Sequence, residues 1–476
     1  MTHTYKAESG GWLMPAFGLV AAITVARLVL LAFNRTDLFV DESQYWLWGQ
    51  SLEFGYYSKP PLIAWVIGAA TWMVGSDAPF WVRAPFAIFH GATALILALL
   101  AARLHGGRAA VLVAASYATL PMVAVGSLLA STDTIMAPFF AAAIYFHTRL
   151  LETRAIRFAV LAGVMAGLAV LAKYAGVYFL LGAVLGALFL PSMRLGVRQW
   201  SVLLASFAVV ISPNVLWNVA NGMATVSHTV DNIGWLRDTG PSAGVNVAGL
   251  AEFFFGQFVV FGPVLFAGLL LAMRRAAHWR LLVFVIPAIA IVCGQALLDR
   301  AYANWAASAY FAGTVVAVAG LAARPRLMAA SLAINGAIAL TLPVLTLVPD
   351  MTFGRSEPLL ARYLGQSALS RQILDLARKN AVPVISARRD VLADLFYTGR
   401  DSGVSIYALP PVGRPQNHYE QRYPAPADLD GKVLLVATEV PVCAGSAAPV
   451  TFPLDRAGGA YSKVPLAAFL ISMGCL

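Results

Sequence analysis

The feature that most constrains this chain is a succession of long apolar segments through its first three quarters. An α-helix needs about 17–25 apolar residues to cross the hydrocarbon core of a bilayer, where every backbone polar group must bond within the protein. About eleven segments of this kind predict an α-helical polytopic membrane protein with about eleven transmembrane helices. They lie near residues 12–33, 82–104, 109–130, 134–151, 157–172, 175–191, 200–218, 250–273, 281–298, 304–323 and 327–348.

The composition supports this fold class. Of the 476 residues, 59% are hydrophobic and only 12% are charged, whereas a soluble domain carries about 25% charged residues. A soluble enzyme with a single anchor is therefore excluded. The first residues have little basic character and no small-residue cleavage site, which predicts an uncleaved first span rather than a signal peptide. The three cysteines, Cys293, Cys443 and Cys475, fit no metal-ligand spacing.

The charges of the connecting loops predict the orientation of the spans. The loops after even-numbered spans contain many arginines and a single acid, whereas the alternate loops contain acids or are nearly uncharged. The positive-inside rule places the basic loops in the cytoplasm, so the net charge of +10 reflects membrane topology and not nucleic-acid binding. An odd number of spans places the C-terminal region outside, in the periplasm of a Gram-negative cell. The arginines are Arg103, Arg108, Arg149, Arg154, Arg157, Arg194, Arg198, Arg274, Arg275, Arg280, Arg324 and Arg326, and the acid is Glu152.

The composition changes after Pro349. The segment "LLARYLGQSALSRQILDLARKN" has helical periodicity, and "AVPVISA" and "KVLLVATEV" are typical of short strands. We therefore predict two domains: a membrane domain over 1–348, with functional outer loops near 34–80 and 219–249, and a small periplasmic α/β domain over 349–476. Cys443 and Cys475 lie in this second domain, either as a disulfide or as two free thiols.

The first outer loop contains an unusual pair of acids, in "FVDESQYWLWGQSLEFGYYSKPPL". Asp41 is placed to cap a short helix, with Glu42 in its first turn. The aromatic residues that follow favour a helix lying in the membrane interface, with the aromatics as its belt. A cap needs no second acid beside it, so Asp41 is also a candidate for chemistry.

Further polar residues collect on the predicted outer side. Lys59 precedes two prolines, and it is either a snorkelling lysine or a phosphate ligand. Asp133 stands where the third span meets the fourth, either as a helix cap or as a functional acid. Lys173 occupies an outer turn, and Arg83, at the start of the second span, pairs with an acid or with a lipid phosphate. Cations would hold a phosphate and a carboxylate could take a proton, so a lipid-phosphate substrate is expected.

These residues stand in a recognisable order. The motifs "VDESQYWLWGQSL", "YYSKPPLIAW", "RAPFAIFHG" and "STDTIMAPFF" resemble those of GT-C glycosyltransferases, and most closely the branch with the lipid A aminoarabinose transferase and the protein O-mannosyltransferases. The resemblance covers roughly residues 15–320. The segment "ANWAASAYFAG" is similar to members that transfer galacturonic acid to lipopolysaccharide.

The resemblance implies an inverting transfer of a sugar from a polyprenyl-phosphate donor to lipid A, lipopolysaccharide or another envelope glycan. It implies that Asp41 is a general base or positions the acceptor, that Glu42 supports it, and that Asp133 is a second active-site acid. It also implies that Lys59 binds the donor phosphate. Lys173 and Arg83, from their positions on the outer side, are further candidates for the same role. No organic cofactor and no nucleic-acid partner are expected, and the enzyme is expected to be a monomer in contact with membrane lipids.

A metal site is less well supported by the resemblance. His228 matches a metal and phosphate position of the aminoarabinose enzyme, but Ser58 stands where that enzyme has a glutamate ligand. A serine hydroxyl is a poor zinc ligand. Use of a divalent ion through Asp41 or Glu42 remains open.

Two functions from other classes compete with an enzyme. A transporter or flippase of a lipid-linked sugar would place ionisable residues near mid-span and would show an internal repeat, whereas these acids gather in outer loops. A non-catalytic envelope scaffold would not need the clustered acids.

Overall fold

A computed structural model describes residues 11–233, 245–354, 356–443, 448–456 and 458–475. Residues 234–244 of the predicted outer loop 219–249 lie outside the described residues. The chain forms two compact units. The first unit comprises Met1–Ala32, Lys59–Ile63 and Arg83–Pro343, and the second comprises Phe33–Ser58, Ala64–Val82 and Val344–Leu476.

Helices dominate the chain up to residue 345, and each predicted apolar segment is helical over most of its length. In chain order, the helices are α1 (Leu13–Ala32), α2 (Val40–Gly49), α3 (Leu62–Val74), α4 (Pro79–His105), α5 (Gly107–Ala118), α6 (Pro121–Gly126), α7 (Thr132–Thr153), α8 (Ile156–Ala172), α9 (Tyr178–Phe189), α10 (Val197–Ala220), α11 (Ala224–Ile233), α12 (Val247–Val260), α13 (Pro263–Ala272), α14 (Trp279–Leu282), α15 (Ile286–Leu298), α16 (Ala309–Leu321) and α17 (Pro325–Leu345).

The predicted number of eleven spans is not confirmed. Within the described residues, five helices are long and apolar enough to cross a membrane: α1, α4, α7, α10 and α17. Two bent pairs raise this number to seven if each pair is one span, namely α12 with α13 and residues 276–282 with α15.

Glycine and proline explain one of these bends. The chain turns by 110° between α12 and α13, at Gly262 and Pro263. Gly262 has a φ of 89°, a conformation that favours glycine. Proline is well suited to the first position of a helix, because the N–H that it lacks would have no hydrogen-bond partner there. The predicted segment 250–273 is therefore two helices in place of one straight span.

Small residues allow close helix packing in the first unit. Helix α8 lies against α7 and α10. A Cβ atom at Gly163 would clash with the Leu203 carbonyl oxygen, and one at Gly167 would lie 2.7 Å from Cβ of Val210. Lipid tails are as apolar as the side chains, so such close backbone approach, and not hydrophobic exclusion, stabilises helix pairs in a bilayer.

The second unit contains a five-stranded mixed sheet in the order β2-β1-β3-β5-β4. Strand β1 is parallel to β2 and β3, and β5 is antiparallel to β3 and β4. The sequence predicted β1, β3 and the helix now labelled α18, and these are confirmed. The strands are β1 (Val384–Ser386), β2 (Ile406–Ala408), β3 (Lys432–Ala437), β4 (Val450–Pro453) and β5 (Ala467–Ser472), and the accompanying helices are α18 (Gln366–Asn380), α19 (Arg389–Thr398) and α20 (His418–Arg422).

Apolar residues cover both faces of this sheet. Leu434 and Val436 of β3 belong to one buried cluster with α18 and α19, whereas Val433 and Leu435 belong to another. Successive side chains of a strand point to opposite faces. A strand buried on both sides has a continuous apolar sequence, which explains the pattern "KVLLVA".

The first outer loop belongs to the same unit as the sheet. Val40 and Leu47 of α2 pack against a buried cluster that contains Leu392, Ala393 and Tyr419. Residues 33–58 and 64–82 therefore join the C-terminal residues in one compact unit. The second unit therefore contains residues from both sides of the predicted boundary at 348/349. That boundary stays a prediction.

Cys443 and Cys475 form a disulfide, with their Cα atoms 4.7 Å apart. Of the two alternatives that the sequence left open, the bridge is therefore the one present. It joins residues 32 positions apart, beside the buried cluster that covers one face of the sheet.

We expect a Cys443→Ser, Cys475→Ser double variant to lose about 3–4 kcal/mol of the free energy of unfolding of the second unit, because a bridge of this loop length restricts the unfolded chain. The loss should appear as a lower thermal unfolding midpoint in detergent. Cys293→Ser, which changes an unbridged cysteine, is the control and should leave the midpoint unchanged. Equal midpoints for the double variant and the wild type would contradict a stabilising bridge.

Candidate active site

The acidic pair of the first outer loop lies in the first turn of α2. Phe39 is the N-cap residue with extended backbone angles, and its N–H donates to Glu42 Oε2 at 2.9 Å. The prediction that Asp41 caps this helix is therefore wrong, because Glu42 satisfies the exposed backbone donor. Glu42 is buried, and its observed contact stabilises the helix start.

Asp41 has a different partner. Arg389, the first residue of α19, donates from Nη2 to Asp41 Oδ1 and from Nε to Gln44 Oε1, the latter at 2.9 Å. The side chains of Arg389 and Asp41 are 39% and 42% exposed. Within the part of the chain that the structure describes, Asp41 Oδ2 accepts no hydrogen bond. One carboxylate oxygen is thus fixed and the other is available.

Burial and neighbouring charges together set the pKa values of two residues near α2. Burial alone would lower the pKa of Arg389, but the adjacent Asp41 carboxylate raises it above its ordinary value. Burial lowers the pKa of His418 to about 3, and Arg422 and Arg389 act in the same direction. Near neutral pH Arg389 is therefore charged and His418 is neutral.

The aromatic residues of α2 are not an interfacial belt. Tyr45, Trp46 and Trp48 are buried. The Trp46 indole N–H donates to Asp77 Oδ1 at 2.7 Å, and Trp48 stacks on Tyr56 with ring centroids 4.8 Å apart. Tyrosine and tryptophan are favoured both in a protein core and at a lipid interface. The sequence alone therefore could not distinguish these two environments.

Lys59 and Ser58 lie just before α3. Lys59 is half-buried and is followed by the buried Pro60 and Pro61. The Gln44 amide lies 3.5 Å from Ser58 Oγ. Among the described residues no group of three His, Cys, Asp or Glu side chains could hold a metal ion. Metal binding by His228 and Asp41 therefore stays a prediction without a ligand set among the described residues.

Asp133 is the second carboxylate of interest, and it is not the cap of α7. Ser131 is the N-cap, and its hydroxyl accepts the N–H of Asp133 at 3.2 Å. The Asp133 carboxylate instead accepts two hydrogen bonds from Lys173 Nζ, at 2.7 and 2.8 Å. Asn304 Nδ2 donates to Asp133 Oδ2 at 3.0 Å. The structure therefore joins two predicted site residues and adds Asn304, which the sequence analysis missed.

Hydrogen bonds to α10 hold the turn that carries Lys173. This residue lies between the end of α8 and a short 3-10 helix, Tyr174–Val177. The Tyr174 hydroxyl donates to Asn214 Oδ1 at 3.1 Å and accepts from Asn218 Nδ2 at 3.2 Å. Both asparagines are buried in α10. Because buried amide groups need hydrogen-bond partners, these hydrogen bonds fix the turn against α10.

The remaining predicted residues lie in the first unit. Arg83 is buried in the early part of α4, with 1% of its surface exposed. His228 is half-buried on α11. Asp41 belongs to the second unit, whereas Lys59, Asp133 and Lys173 belong to the first. The convergence of Asp41 with these cations on one substrate stays a prediction.

Comparison with solved structures identifies the class of this fold. The structure is similar to that of ArnT from Cupriavidus metallidurans, in the apo state and bound to undecaprenyl phosphate. Both matches have a TM-score of 0.65 and cover 96% of this chain and 98% of the other, at 12% and 13% identity. This likeness shows a GT-C fold.

Sequence comparison supports the same class. Residues 58–217 match the dolichyl-phosphate-mannose-protein mannosyltransferase family. The chain is 38% identical over 468 residues to the lipid A galacturonosyltransferase RgtD of Rhizobium johnstonii, across 96% of this chain and 98% of the relative. The chain belongs to the family of GT-C membrane glycosyltransferases that contains this relative. The transporter and scaffold alternatives are thereby rejected.

We expect Asp133→Asn and Lys173→Met each to lower the free energy of unfolding by about 1–3 kcal/mol, because either change leaves a largely buried charge without its partner. The double variant should lose less than the sum of the two, since both charges then disappear together. Denaturant unfolding of the four proteins in nanodiscs measures this coupling. Glu152→Gln, which disrupts the more exposed pairs with Arg103 and Arg149, should cost about 0–1 kcal/mol. Additive losses would contradict the pairing.

Proposed function

We propose that this chain is an inverting glycosyltransferase that transfers a uronic acid, of the galacturonic type, from a polyprenyl phosphate to lipid A. The observation that carries the proposal is the 38% identity to a lipid A galacturonosyltransferase over 96% of the chain. The ArnT structure with undecaprenyl phosphate supports a lipid-linked donor. The basic loops on one side and the acids on the other support an active site on the periplasmic face of the inner membrane.

In the proposed reaction, an oxygen of the acceptor attacks the anomeric carbon of the donor sugar. The bond from that carbon to the phosphate oxygen breaks, and polyprenyl phosphate leaves with the electron pair. Attack from the face opposite to the leaving group inverts the configuration. Asp41 acts on the acceptor, as the family resemblance implies, and its Oδ2 is available for this role while Oδ1 is held by Arg389. A sugar hydroxyl would give its proton to Asp41, whereas an ionised phosphate acceptor would need only orientation.

Cations act on the leaving group in this proposal. Lys59, before two prolines that restrict the backbone, is the main ligand of the donor phosphate. Lys173 has three N–H donors, two of which bind Asp133. The third makes no hydrogen bond within the described residues and is therefore available to a phosphate oxygen. Arg83 contributes its charge from a buried position. The negative charge that develops on the phosphate is thereby stabilised.

Asp133 is best explained as the group that holds Lys173. Its carboxylate accepts three hydrogen bonds, two from Lys173 and one from Asn304. A carboxylate with both oxygens engaged has less capacity to accept a proton from substrate. We therefore assign Asp133 to the orientation of Lys173 in place of a second acid–base role. The protein is proposed to act as a monomer in contact with membrane lipids.

Reconstitution tests the function directly. The purified protein in nanodiscs is given lipid A and one of two polyprenyl-phosphate donors, one with galacturonic acid and one with galactose, and lipid A is analysed by mass spectrometry. A uronic acid adduct is expected with the first donor. Transfer from neither donor, by protein that remains folded, would contradict the proposed function.

We expect Asp41→Asn to lower kcat by roughly 10²–10⁴-fold, because amide nitrogen cannot replace the carboxylate that activates or orients the acceptor. The loss should be measured at saturating donor. Glu53→Gln is the matched control, since Glu53 is an acid of the same loop that pairs with Arg422. Turnover of Asp41→Asn within a few-fold of the wild type would exclude an acid–base role.

We expect Lys59→Ala to weaken donor binding by roughly 10–100-fold, the loss expected from one hydrogen bond to a charged group. Binding of polyprenyl phosphate to the reconstituted protein measures this directly. Lys463→Ala removes a lysine that is 80% exposed and pairs with Glu357, so its affinity should equal that of the wild type. An unchanged affinity in Lys59→Ala would remove Lys59 from the phosphate site.

A further inference from the structure

Arg389 and Asp41 lie 348 positions apart in the sequence, yet they meet within the second unit. Asp41 and Gln44 are three residues apart on α2, so they lie on one face of the helix. The Arg389 guanidinium binds both of them, through Nη2 and Nε respectively. A planar guanidinium with two fixed donors has little freedom to rotate.

The two helices that carry this contact are held by packing. Val40 and Leu47 of α2 lie against Leu392 and Ala393 of α19, and Phe396 packs on the same cluster. Arg389 is the first residue of α19. The guanidinium is therefore carried by a packed pair of helices and not by a loop. A residue that positions a catalytic group needs such rigid support.

We propose that Arg389 is a positioning residue of the transferase reaction, which holds Asp41 Oδ1 and so directs Oδ2 to the acceptor. The inference rests on the role proposed above for Asp41. It assigns a part in the reaction to the C-terminal region, which lies outside residues 15–320, the part of the chain that the family resemblance covers.

The orientation of the carboxylate matters because its terminal torsion has broad, roughly two-fold minima. An aspartate without a partner on Oδ1 would sample several orientations, and each misplacement by about 1 Å can cost roughly 10²-fold in rate. The guanidinium removes this freedom on one oxygen. Arg389 stays charged near neutral pH, so it does not itself donate a proton.

The chain supplies a matched control in the preceding residue. Arg388 carries the same charge, yet its guanidinium binds Asp390 Oδ2 at 2.7 Å and not Asp41. Replacement of either arginine by glutamine removes one positive charge at the start of α19. Only the replacement of Arg389 removes the contact with Asp41.

The test measures kcat and KM for donor and acceptor in nanodiscs for wild type, Arg389→Gln, Arg389→Lys and Arg388→Gln. We expect Arg389→Gln to lower kcat about 10–100-fold with KM within about three-fold. Arg389→Lys should recover part of the loss, because an ammonium group can bind Asp41 but does not reproduce the fork that also binds Gln44. Arg388→Gln should stay within about two-fold of the wild type. Thermal unfolding midpoints establish that each variant is folded.

Three results would overturn the inference. Equal losses in Arg389→Gln and Arg388→Gln would indicate a general charge effect. Unchanged kcat in Arg389→Gln would indicate a structural contact only. A rise in donor KM at constant kcat, seen with the galacturonic acid donor, would indicate that the guanidinium binds the carboxylate of the sugar itself. Inactivity of the wild type with every donor would instead contradict the proposed function. That outcome is distinguishable from a failure of the Arg389 inference, which requires an active wild type.

Discussion

The removal of charge from water governs how this protein arranges its functional groups. A carboxylate or an ammonium group in apolar surroundings is costly unless an opposite charge and hydrogen bonds compensate it. Asp133 and Lys173 satisfy this condition in the first unit, where two short contacts and the Asn304 amide complete the pair. The turn that holds Lys173 is in turn fixed by buried amides on α10.

The two carboxylates of interest have different degrees of freedom. Both oxygens of Asp133 are engaged, whereas Asp41 has one oxygen bound to Arg389. A carboxylate whose two oxygens both accept hydrogen bonds is suited to hold a cation. A carboxylate with one available oxygen is suited to act on a substrate. This difference separates two acids that the family resemblance had both placed in the active site, and it follows from their partners and not from their residue type.

Part of the site could be predicted because its signals are local. Asp41, Asp133 and Lys173 each interrupt or border an apolar segment, where an ionisable residue is costly and therefore informative. Arg389 and Asn304 could not be found in this way, because their contacts join residues 348 and 171 positions apart. The buried aromatics of α2 were assigned to the lipid interface for a related reason, since both environments select the same side chains.

The sequence by itself determined the class of the protein. A bilayer of fixed thickness without water requires helices of a certain length, and this condition can be read from any apolar segment in isolation. Only the tertiary structure decided that the first outer loop packs with the C-terminal sheet and that an arginine from α19 reaches Asp41. A hydrogen bond depends on placement to within a few tenths of an ångström, and that placement results from the packing of segments far apart in the chain.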